Sequence, residues 1–573
     1  MRKRFSLRIA TFAADKTLFR MKLYRFLLPA LLVASCGGNQ VAQEDGQRLF
    51  VGDDYAVTQT QYGKVQGYIL DGVYTYLGIP YGAPTGGENR FMPPQKPESW
   101  EGIRPAMFYG NDAPQNMADK WKNNSSTFTD HWNYYDVSED CLNLNVWTPA
   151  PDGKKRPVLV WMHGGGFSAG NSIEQDGYHG ANLARAGDIV FVSVNHRLNA
   201  FGFSDLSAAG PAFKNSGNVG VLDLVASLQW VHDNIANFGG DPGNVTIMGQ
   251  SGGGAKVCDV ISMPSAKGLV HKAVALSGNA TSATDPASSK AIGAAILKTV
   301  KGDVKKLQQM PWEEYYALAH KVAAELGGGG MGGFSPIADG EVLPADGFFK
   351  DDVAKNVPLM LCTTSSEFAL SKENVELENI DFAGAVAMVR DQFGQANAED
   401  ILKAYQAAFP NKKPIELVNL TVAQRKNVLA TADAKYAQGT PVYLDWFDYN
   451  SPLFGGRIRA FHCSDISYWF KNTDLMVTHT GGGAEPRGVS DQMSAALLAF
   501  MRTGNPNCPE IPQWPAYTPE DAPTMIFDVK SEVKNAPTAP PWSSSQTSIP
   551  GAWPVPPPRH RNKSVGRPFG RRV

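Results

Sequence analysis

Cysteine is scarce in this chain, with six residues among 573. None lies in a Cys-x-x-Cys pair or at a zinc-like spacing from a histidine, so the sequence predicts no metal site. Export would permit disulfides, but the odd number of cysteines after the first leaves at least one thiol free or paired elsewhere. The six positions are Cys36, Cys141, Cys258, Cys362, Cys463 and Cys508.

Long apolar runs and internal repeats are also lacking. The apolar run near the N-terminus, residues 26–34, is too short to span a bilayer. No change of composition divides residues 47–528, so one large domain is predicted, although a chain of this length could hold several.

The formal net charge is only -2, but its distribution is uneven. Residues 1–36 carry eight Lys or Arg and one Asp, and residues 559–573 carry six Lys or Arg and no acid. The residues between these two basic ends therefore sum to a net charge of -15. Such an acidic body argues against nucleic acid as a partner.

The N-terminus resembles an export signal. Lys22 and Arg25 precede the apolar run, and residues 33–36, Val-Ala-Ser-Cys, close it. This tetrapeptide resembles the lipobox of bacterial lipoproteins, which implies cleavage before Cys36, lipidation of its thiol and a membrane tether. The alternative is an ordinary secretory signal. The predicted location is therefore periplasmic or outer-membrane-anchored as a lipoprotein, or secreted, with Met21 as an alternative start.

Four segments follow from these features. Residues 1–36 are predicted to be the signal peptide and residues 37–50 a polar tether. Residues 51–530 form the predicted catalytic domain. Residues 531–573 are rich in proline and basic side chains, and we expect a disordered tail there.

Short apolar runs recur through the central domain, as buried strands require. Between them lie segments of helical length, best seen at residues 221–235, where apolar side chains recur at helical spacing. Strands that alternate with helices predict an α/β fold, a mostly parallel sheet with helices on both faces. Residues 278–335 are rich in predicted helix, and we expect them to form an excursion over the functional site. The predicted strands are residues 142–147, 158–162, 189–194, 245–248, 273–276, 359–361, 442–447 and 525–527.

One of these strands runs into the turn Gly249-Gln250-Ser251-Gly252-Gly253. A Gly-x-Ser-x-Gly turn between a strand and a helix exposes a serine hydroxyl above the sheet, because its glycines permit a sharp reversal. The N-terminus of the following helix favours negative charge at the same place. Ser251 is therefore the candidate nucleophile for acyl transfer.

A serine nucleophile needs donors for the oxygen that becomes negative, and two glycine-rich segments offer them. His163-Gly164-Gly165-Gly166-Phe167 follows the strand at residues 158–162, and the N–H of Gly252 can join its amides. The alternative is a plain flexible turn.

A base and an acid must come later in the chain, and in hydrolases with this turn the acid precedes the base. His462, shortly after the strand at residues 442–447, is the candidate base, and His479 remains as the other. Glu367, just after the strand at residues 359–361, is the candidate acid. Its rivals are Asp339 and Asp465.

Taken together, these motifs resemble those of the type B carboxylesterases, a family of α/β-hydrolases. The resemblance runs from about residue 63 to residue 528 and implies hydrolysis of carboxylic esters with no cofactor. It implies the triad and the oxyanion donors Ser251, Glu367, His462, Gly165, Gly166 and Gly252. It rests on residues 139–146, 163–167, 194–197, 217–220, 238–242, 249–251, 461–466 and 500–506.

The sequence departs from the family pattern at several positions. Gln250 stands where glutamate is frequent, and Cys463 stands beside the candidate base where glycine is frequent. The disulfide that Cys141 forms in many relatives needs an earlier cysteine, and residues 37–140 contain none. Two alternative functions remain, a non-catalytic binding module on the same fold and a lipase for longer acyl chains.

Overall fold

The computed structural model describes residues 46–116, 136–328, 333–372, 374–421 and 425–535. The chain divides into two units, Met1–Gln47 and Arg48–Val573, and every element named below belongs to the second. The predicted signal peptide, most of the tether and most of the tail lie outside the described residues.

A twelve-stranded sheet runs through the described part of the second unit, in the order β1-β4-β5-β7-β9-β8-β10-β11-β12-β13-β14-β15, and β2, β3 and β6 form a small second sheet. The strands are β1 (Leu49–Phe50), β2 (Val57–Thr60), β3 (Gly63–Gln66), β4 (Tyr68–Leu70), β5 (Val73–Pro80), β6 (Ile103–Pro105), β7 (Asn143–Thr148), β8 (Arg156–Met162), β9 (Val190–Val194), β10 (Gly240–Gln250), β11 (Lys272–Leu276), β12 (Leu359–Thr364), β13 (Val442–Phe447), β14 (Pro523–Phe527) and β15 (Glu532–Asn535).

The block from β9 to β14 is parallel, and antiparallel pairs flank it on both sides. Parallel strands are buried on both faces, and the side chains of β8 show this directly. Val158 and Val160 belong to one hydrophobic core, while Leu159 and Trp161 belong to another on the opposite face. The predicted mostly parallel sheet is confirmed.

Helices cover this sheet. They are α1 (Ala181–Gly187), α2 (Asn199–Phe203), α3 (Val219–Asn234), α4 (Gly252–Ser262), α5 (Pro286–Thr299), α6 (Val304–Gln309), α7 (Trp312–Glu325), α8 (Phe382–Phe393), α9 (Ala398–Ala408), α10 (Pro414–Thr421), α11 (Arg425–Tyr436), α12 (Ile466–Trp469), α13 (Val477–Thr480) and α14 (Ala484–Thr503). In the parts of the chain that the structure describes, none combines the length and the apolar character needed to cross a membrane.

Local chemistry explains where several helices begin and end. Asp285 caps α5 by accepting from the N–H of Ala287 at 2.8 Å, and Pro286 starts the helix. Asp381 caps α8 in the same way, and that helix ends at Gly394 with a left-handed φ of 67°. These starts and stops are readable in the sequence.

All eight predicted strands are present, as β7 to β14, with ends displaced by a few residues. The predicted excursion contains α5, α6 and α7. Helices α8 to α11 were not predicted. Strand β15 pairs with β14 and extends the sheet into the segment expected to be a disordered tail, so the tail prediction was wrong for residues 532–535.

Candidate active site

The loops that carry the candidate residues follow neighbouring parallel strands. Strands β8, β10, β11 and β12 lie side by side and run in the same direction. Their carboxyl ends therefore meet at one edge of the sheet, which is where open α/β folds place their working residues.

Ser251 stands in the turn between β10 and α4 with a strained backbone, φ 58° and ψ -124°. Its N–H donates to the carbonyl of Leu276 at 2.8 Å, and its side chain is half-buried. The turn also needs a glycine from the next loop, because a Cβ on Gly278 would lie 1.6 Å from the Ser251 carbonyl oxygen. The serine is thus held in a sharp turn by the strand beside it.

The glycine segment after β8 lies against this turn. A Cβ on Gly252 would lie 2.3 Å from the carbonyl oxygen of Gly166, so the two segments touch through glycines. Gly165 and Gly166 have left-handed φ values of 79° and 61°. Among the hydrogen bonds of the described residues, none has the N–H of Gly165, Gly166 or Gly252 as donor. These three amides are therefore available to an anionic oxygen.

His462 and Glu367 form a direct pair. Nδ1 of His462 lies 2.5 Å from Oε2 of Glu367, and the His462 N–H donates to the Glu367 carbonyl at 3.0 Å. A carboxylate only accepts hydrogen bonds, so Nδ1 carries a proton, and in the neutral form of the ring Nε2 keeps its lone pair. The side chain of Glu367 is buried, with 1% of its surface exposed, whereas the side chain of His462 is 24% exposed.

The second oxygen of Glu367 is also held. Oε1 accepts from the hydroxyl of Ser277 at 2.6 Å and from the N–H of Thr364 at 2.9 Å. With these donors and His462, the buried carboxylate has partners on both oxygens. Its orientation is fixed.

Gln250 links the serine turn to the histidine. Its Nε2 lies 3.3 Å from both ring nitrogens of His462. Among the hydrogen bonds of the described residues, none joins the Ser251 hydroxyl to His462. The structure therefore brings His462 and Glu367 into direct contact and connects Ser251 to them through its neighbour Gln250.

The environment of His462 shifts its pKa. Burial lowers this pKa, whereas the Cys463 sulfur and the Glu367 carboxylate raise it, and the net value lies above the ordinary 6.5. Burial raises the pKa of the Cys463 thiol itself, so this thiol is uncharged at neutral pH. Glu367 is therefore the charge that raises the His462 pKa.

Lys256 lies beneath the glycine segment. Its side chain is fully buried on α4, and Nζ donates to the carbonyl of His163 at 2.9 Å. Burial lowers the pKa of Lys256 to about 7, and nearby Glu174 and Asp259 act in the opposite direction. This lysine anchors the first residue of the segment that carries the free amides.

The two alternative acids and the alternative base have other contacts. Asp339 accepts from Asn218 at 2.9 Å and, through its other oxygen, from backbone N–H groups of the turn that follows it. Asp465 is buried and accepts from the indole of Trp469 at 3.3 Å. His479 lies in α13 rather than in the expected loop and packs edge-on against Phe461.

Sequence reasoning missed three residues of the site. Ser277 and Gly278 directly follow β11, and their position at the carboxyl end of a buried strand was the available signal. Lys256 lies five residues after Ser251 in α4, where a charged side chain among apolar neighbours is unusual. The described residues contain no group of three or more His, Cys, Asp or Glu side chains arranged for a metal ion.

Comparison with known sequences identifies the family. The profile of the Carboxylesterase family matches residues 54–542. The chain is 33% identical over 494 residues to the para-nitrobenzyl esterase of Bacillus subtilis, covering 84% of this chain and 97% of that protein. It is 30% identical to the phenmedipham hydrolase of Pseudarthrobacter oxydans, covering 82% of this chain and 94% of that protein.

Solved structures that resemble this chain are also esterases. An esterase from Clostridium hathewayi that can hydrolyse aliphatic aromatic polyesters has a TM-score of 0.75 and 37% identity, covering 85% of this chain and 97% of that one. A carboxylesterase from Geobacillus stearothermophilus has a TM-score of 0.69 and 34% identity, covering 84% and 98%.

The mostly parallel sheet, the strained serine turn and the Glu–His pair at its edge define an α/β-hydrolase. Within that class the chain belongs to the carboxylesterase family and is a serine hydrolase of carboxylic esters.

Proposed function

We propose that this carboxylesterase cleaves its ester through an acyl-enzyme formed on Ser251. The proposed catalytic triad is Ser251, His462 and Glu367. The proposed oxyanion donors are the N–H groups of Gly165, Gly166 and Gly252. The proposal rests above all on the Glu367–His462 pair, whose ring contacts the residue next to the strained serine.

In the first half of the reaction the Ser251 oxygen attacks the acyl carbon and its proton passes to Nε2 of His462. The carbonyl oxygen becomes negative against the three amides. The alcohol then leaves with the proton from His462. The hydroxyl of Ser251 bonds to Nε2 in the substrate complex, since catalytic hydrogen bonds of this kind tighten when substrate binds.

In the second half a water gives its proton to His462 and attacks the acyl-enzyme. The acid departs, and Ser251 recovers its proton from His462. Glu367 stays ionised throughout, holds the Nδ1 tautomer and stabilises the imidazolium that forms in each half.

We propose that the substrate carries an aromatic group. Two relatives support this, since one is a para-nitrobenzyl esterase and another acts on aliphatic aromatic polyesters. The test measures hydrolysis of a para-nitrobenzyl ester and of an alkyl ester with the same acyl group. A higher kcat/KM for the aromatic ester is expected, and equal values would contradict it.

The triad proposal is tested with Ser251→Ala and an activated p-nitrophenyl ester. The wild-type enzyme should release a burst of p-nitrophenol as acyl-enzyme accumulates, and the variant should show neither burst nor turnover. Full activity in the folded variant would overturn the proposal.

We also propose that the protein is exported and tethered to a membrane through lipidated Cys36. The basic residues, the apolar run and the lipobox-like end of residues 33–36 support this. The test compares the wild type with Cys36→Ala in fractionated bacterial cells. The wild type should remain with membranes and carry an acylated N-terminal cysteine, and a soluble, unacylated wild type would contradict the tether.

A further inference from the structure

The loop that carries His462 also contains a buried charge that the proposed mechanism does not use. Arg459 lies three residues before His462, and its side chain is 4% exposed. Its guanidinium donates to the two carboxylate oxygens of Glu378 at 2.5 and 2.9 Å. It also donates to the hydroxyl of Ser371 at 2.6 Å. Arg459 is therefore a buried cation with fixed partners on other segments.

Ser371 belongs to the loop of the proposed acid. It follows Glu367 by four residues, and its hydroxyl donates to the carbonyl of Arg457 at 3.1 Å. The side chain of Arg457 donates in turn to the carbonyl of Lys372 at 2.9 Å. Side chains of both loops thus join the segment after Glu367 to the segment before His462.

The backbones of these two loops are joined as well. The N–H of Ser366 donates to the carbonyl of Ala460 at 3.2 Å, and the N–H of His462 donates to the carbonyl of Glu367 at 3.0 Å. The contact of Nδ1 with Oε2 at 2.5 Å therefore depends on how the two loops lie against each other. Arg459 directly precedes this backbone pairing.

The backbone of Arg459 is strained. Its φ is 52°, in the left-handed region that residues other than glycine rarely adopt. Such a conformation persists where the surroundings enforce it. The bonds to Glu378 and Ser371 enforce it here, because a guanidinium presents its donors in a rigid fork. The turn that leads to His462 is thus held through the side chain of Arg459.

Glu378 lies outside both loops. It belongs to a short 3₁₀ helix, Val375–Asn379, whose Leu377 packs against the hydrophobic core of α8, α9 and α10. The hydrogen bonds from Arg459 lower the pKa of Glu378 to about 2, so this carboxylate is charged at neutral pH. Glu416 on α10 lies 3.7 Å from Nε of the same arginine. One guanidinium therefore joins both catalytic loops to a helical unit beside them.

We infer that Arg459 is a positioning residue that joins the loop of Glu367 to the loop of His462 and so holds the acid against the base. This inference rests on the proposed roles of Glu367 and His462. Without the guanidinium, Ser371 and Glu378 lose their shared partner, and the strained turn before His462 is free to relax. The imidazole then loses its fixed orientation.

The test is Arg459→Met, which keeps a long side chain and removes every donor. kcat should fall by about tenfold, because hydrogen bonds to a charged, buried group are lost and the acid and the base no longer meet in one geometry. KM should change little, since the substitution acts on the base rather than on substrate contacts.

The pH–rate profile gives a readout that a general loss of stability would not move. Contact with the Glu367 carboxylate raises the His462 pKa, so a looser pair should shift the rising limb of the profile to lower pH. The other titratable groups that act on His462 or respond to it are Cys463 and Asp465. Both are retained in every variant.

Arg156→Met is the matched control. Arg156 is also buried, with its side chain 5% exposed, and it pairs with the carboxylates of Asp152 and Asp188. It begins β8, at the edge of the sheet opposite to the active site. Its loss should lower the melting temperature but leave kcat and the pH–rate profile as in the wild type.

Variants of Glu378 test the same contact from its other end. Glu378→Gln keeps an oxygen that accepts from Arg459 and should retain most of the activity, whereas Glu378→Leu should reproduce the loss. The double variant of Arg459→Met and Glu378→Leu should be no slower than the slower single variant, because both substitutions remove one interaction.

A wild-type kcat in Arg459→Met would overturn the inference. A reduced kcat with an unmoved limb, or an equal loss of kcat in Arg156→Met, would overturn it as well. Activity that survives Ser251→Ala would instead overturn the proposed function, so the two failures are distinguishable.

Discussion

The hydroxyl of Ser277 donates to Oε1 of Glu367 at 2.6 Å. The other oxygen of the same carboxylate accepts from His462, so Ser277 fixes the acid from the side opposite the base. A serine that directly follows one buried strand thus orients a glutamate that follows the next strand.

Ser277→Ala should therefore lower kcat by about tenfold, because it removes one hydrogen bond to a charged, buried group. KM should change little, since Ser277 lies behind the acid. Steady-state kinetics with a p-nitrophenyl ester measure this. Thr364→Ala is the matched control, because its backbone N–H still bonds Oε1, and it should retain the wild-type kcat. Equal kcat in Ser277→Ala and the wild type would contradict the assigned role.

Glu367→Gln tests the carboxylate itself. Ester hydrolysis needs neutral His462, so the rate should rise with pH as this histidine loses its proton. Because the His462 pKa lies above the ordinary 6.5, the midpoint of this rising limb of the pH–rate profile should lie above 6.5. Loss of the negative charge removes what raises this pKa and should shift the limb to lower pH. An amide can also donate to Nδ1 and select the wrong tautomer, so kcat should fall by up to about 10⁴. A limb at the wild-type position would show that another charge sets the His462 pKa.

Much of this arrangement was predictable from sequence, because strand ends are marked by apolar runs. Ser251, Glu367 and His462 each follow such a run. Helices α8, α9 and α10 were missed since their apolar faces pack mainly into a small separate core, which reaches the central sheet at Trp446 and Ile526. Helix α11, also missed, packs Val428 and Ala432 into the main core instead. Contacts between distant loops, such as that of Ser277 with Glu367, depend on strand order, which no local pattern specifies.

Lys256→Met tests the anchor beneath the glycine segment. Removal of the ammonium frees the His163 carbonyl and should loosen the amides, so kcat should fall by about tenfold with little change in KM. A phosphonate transition-state analogue should lose affinity by a similar factor, because it uses the same amides.

The matched control for Lys256→Met is Lys435→Met. Lys435 is another buried lysine with a lowered pKa, but it lies on α11 and bonds Gln438 at 2.8 Å. Its loss should lower the melting temperature without reducing kcat. A similar loss of kcat in both variants would mean that Lys256 acts only through stability.

Gly278→Ala should abolish activity. The added Cβ would lie 1.6 Å from the Ser251 carbonyl oxygen, so the serine turn or the loop after β11 must shift. The control is Gly488→Ala in α14, where a Cβ meets nothing within 4 Å and alanine should stabilise the helix by about 0.5–1 kcal/mol. Activity and melting temperature check both variants, and an active Gly278→Ala enzyme would contradict the described turn.

The most direct test of the account is to locate the nucleophile chemically. The protein is incubated with phenylmethanesulfonyl fluoride, digested, and mapped by mass spectrometry, with Ser251→Ala and His462→Ala treated in parallel. We predict one adduct on Ser251 in the wild type, none in Ser251→Ala and much slower labelling in His462→Ala. An adduct on another residue, or a rate unaffected by the loss of His462, would contradict the central claim.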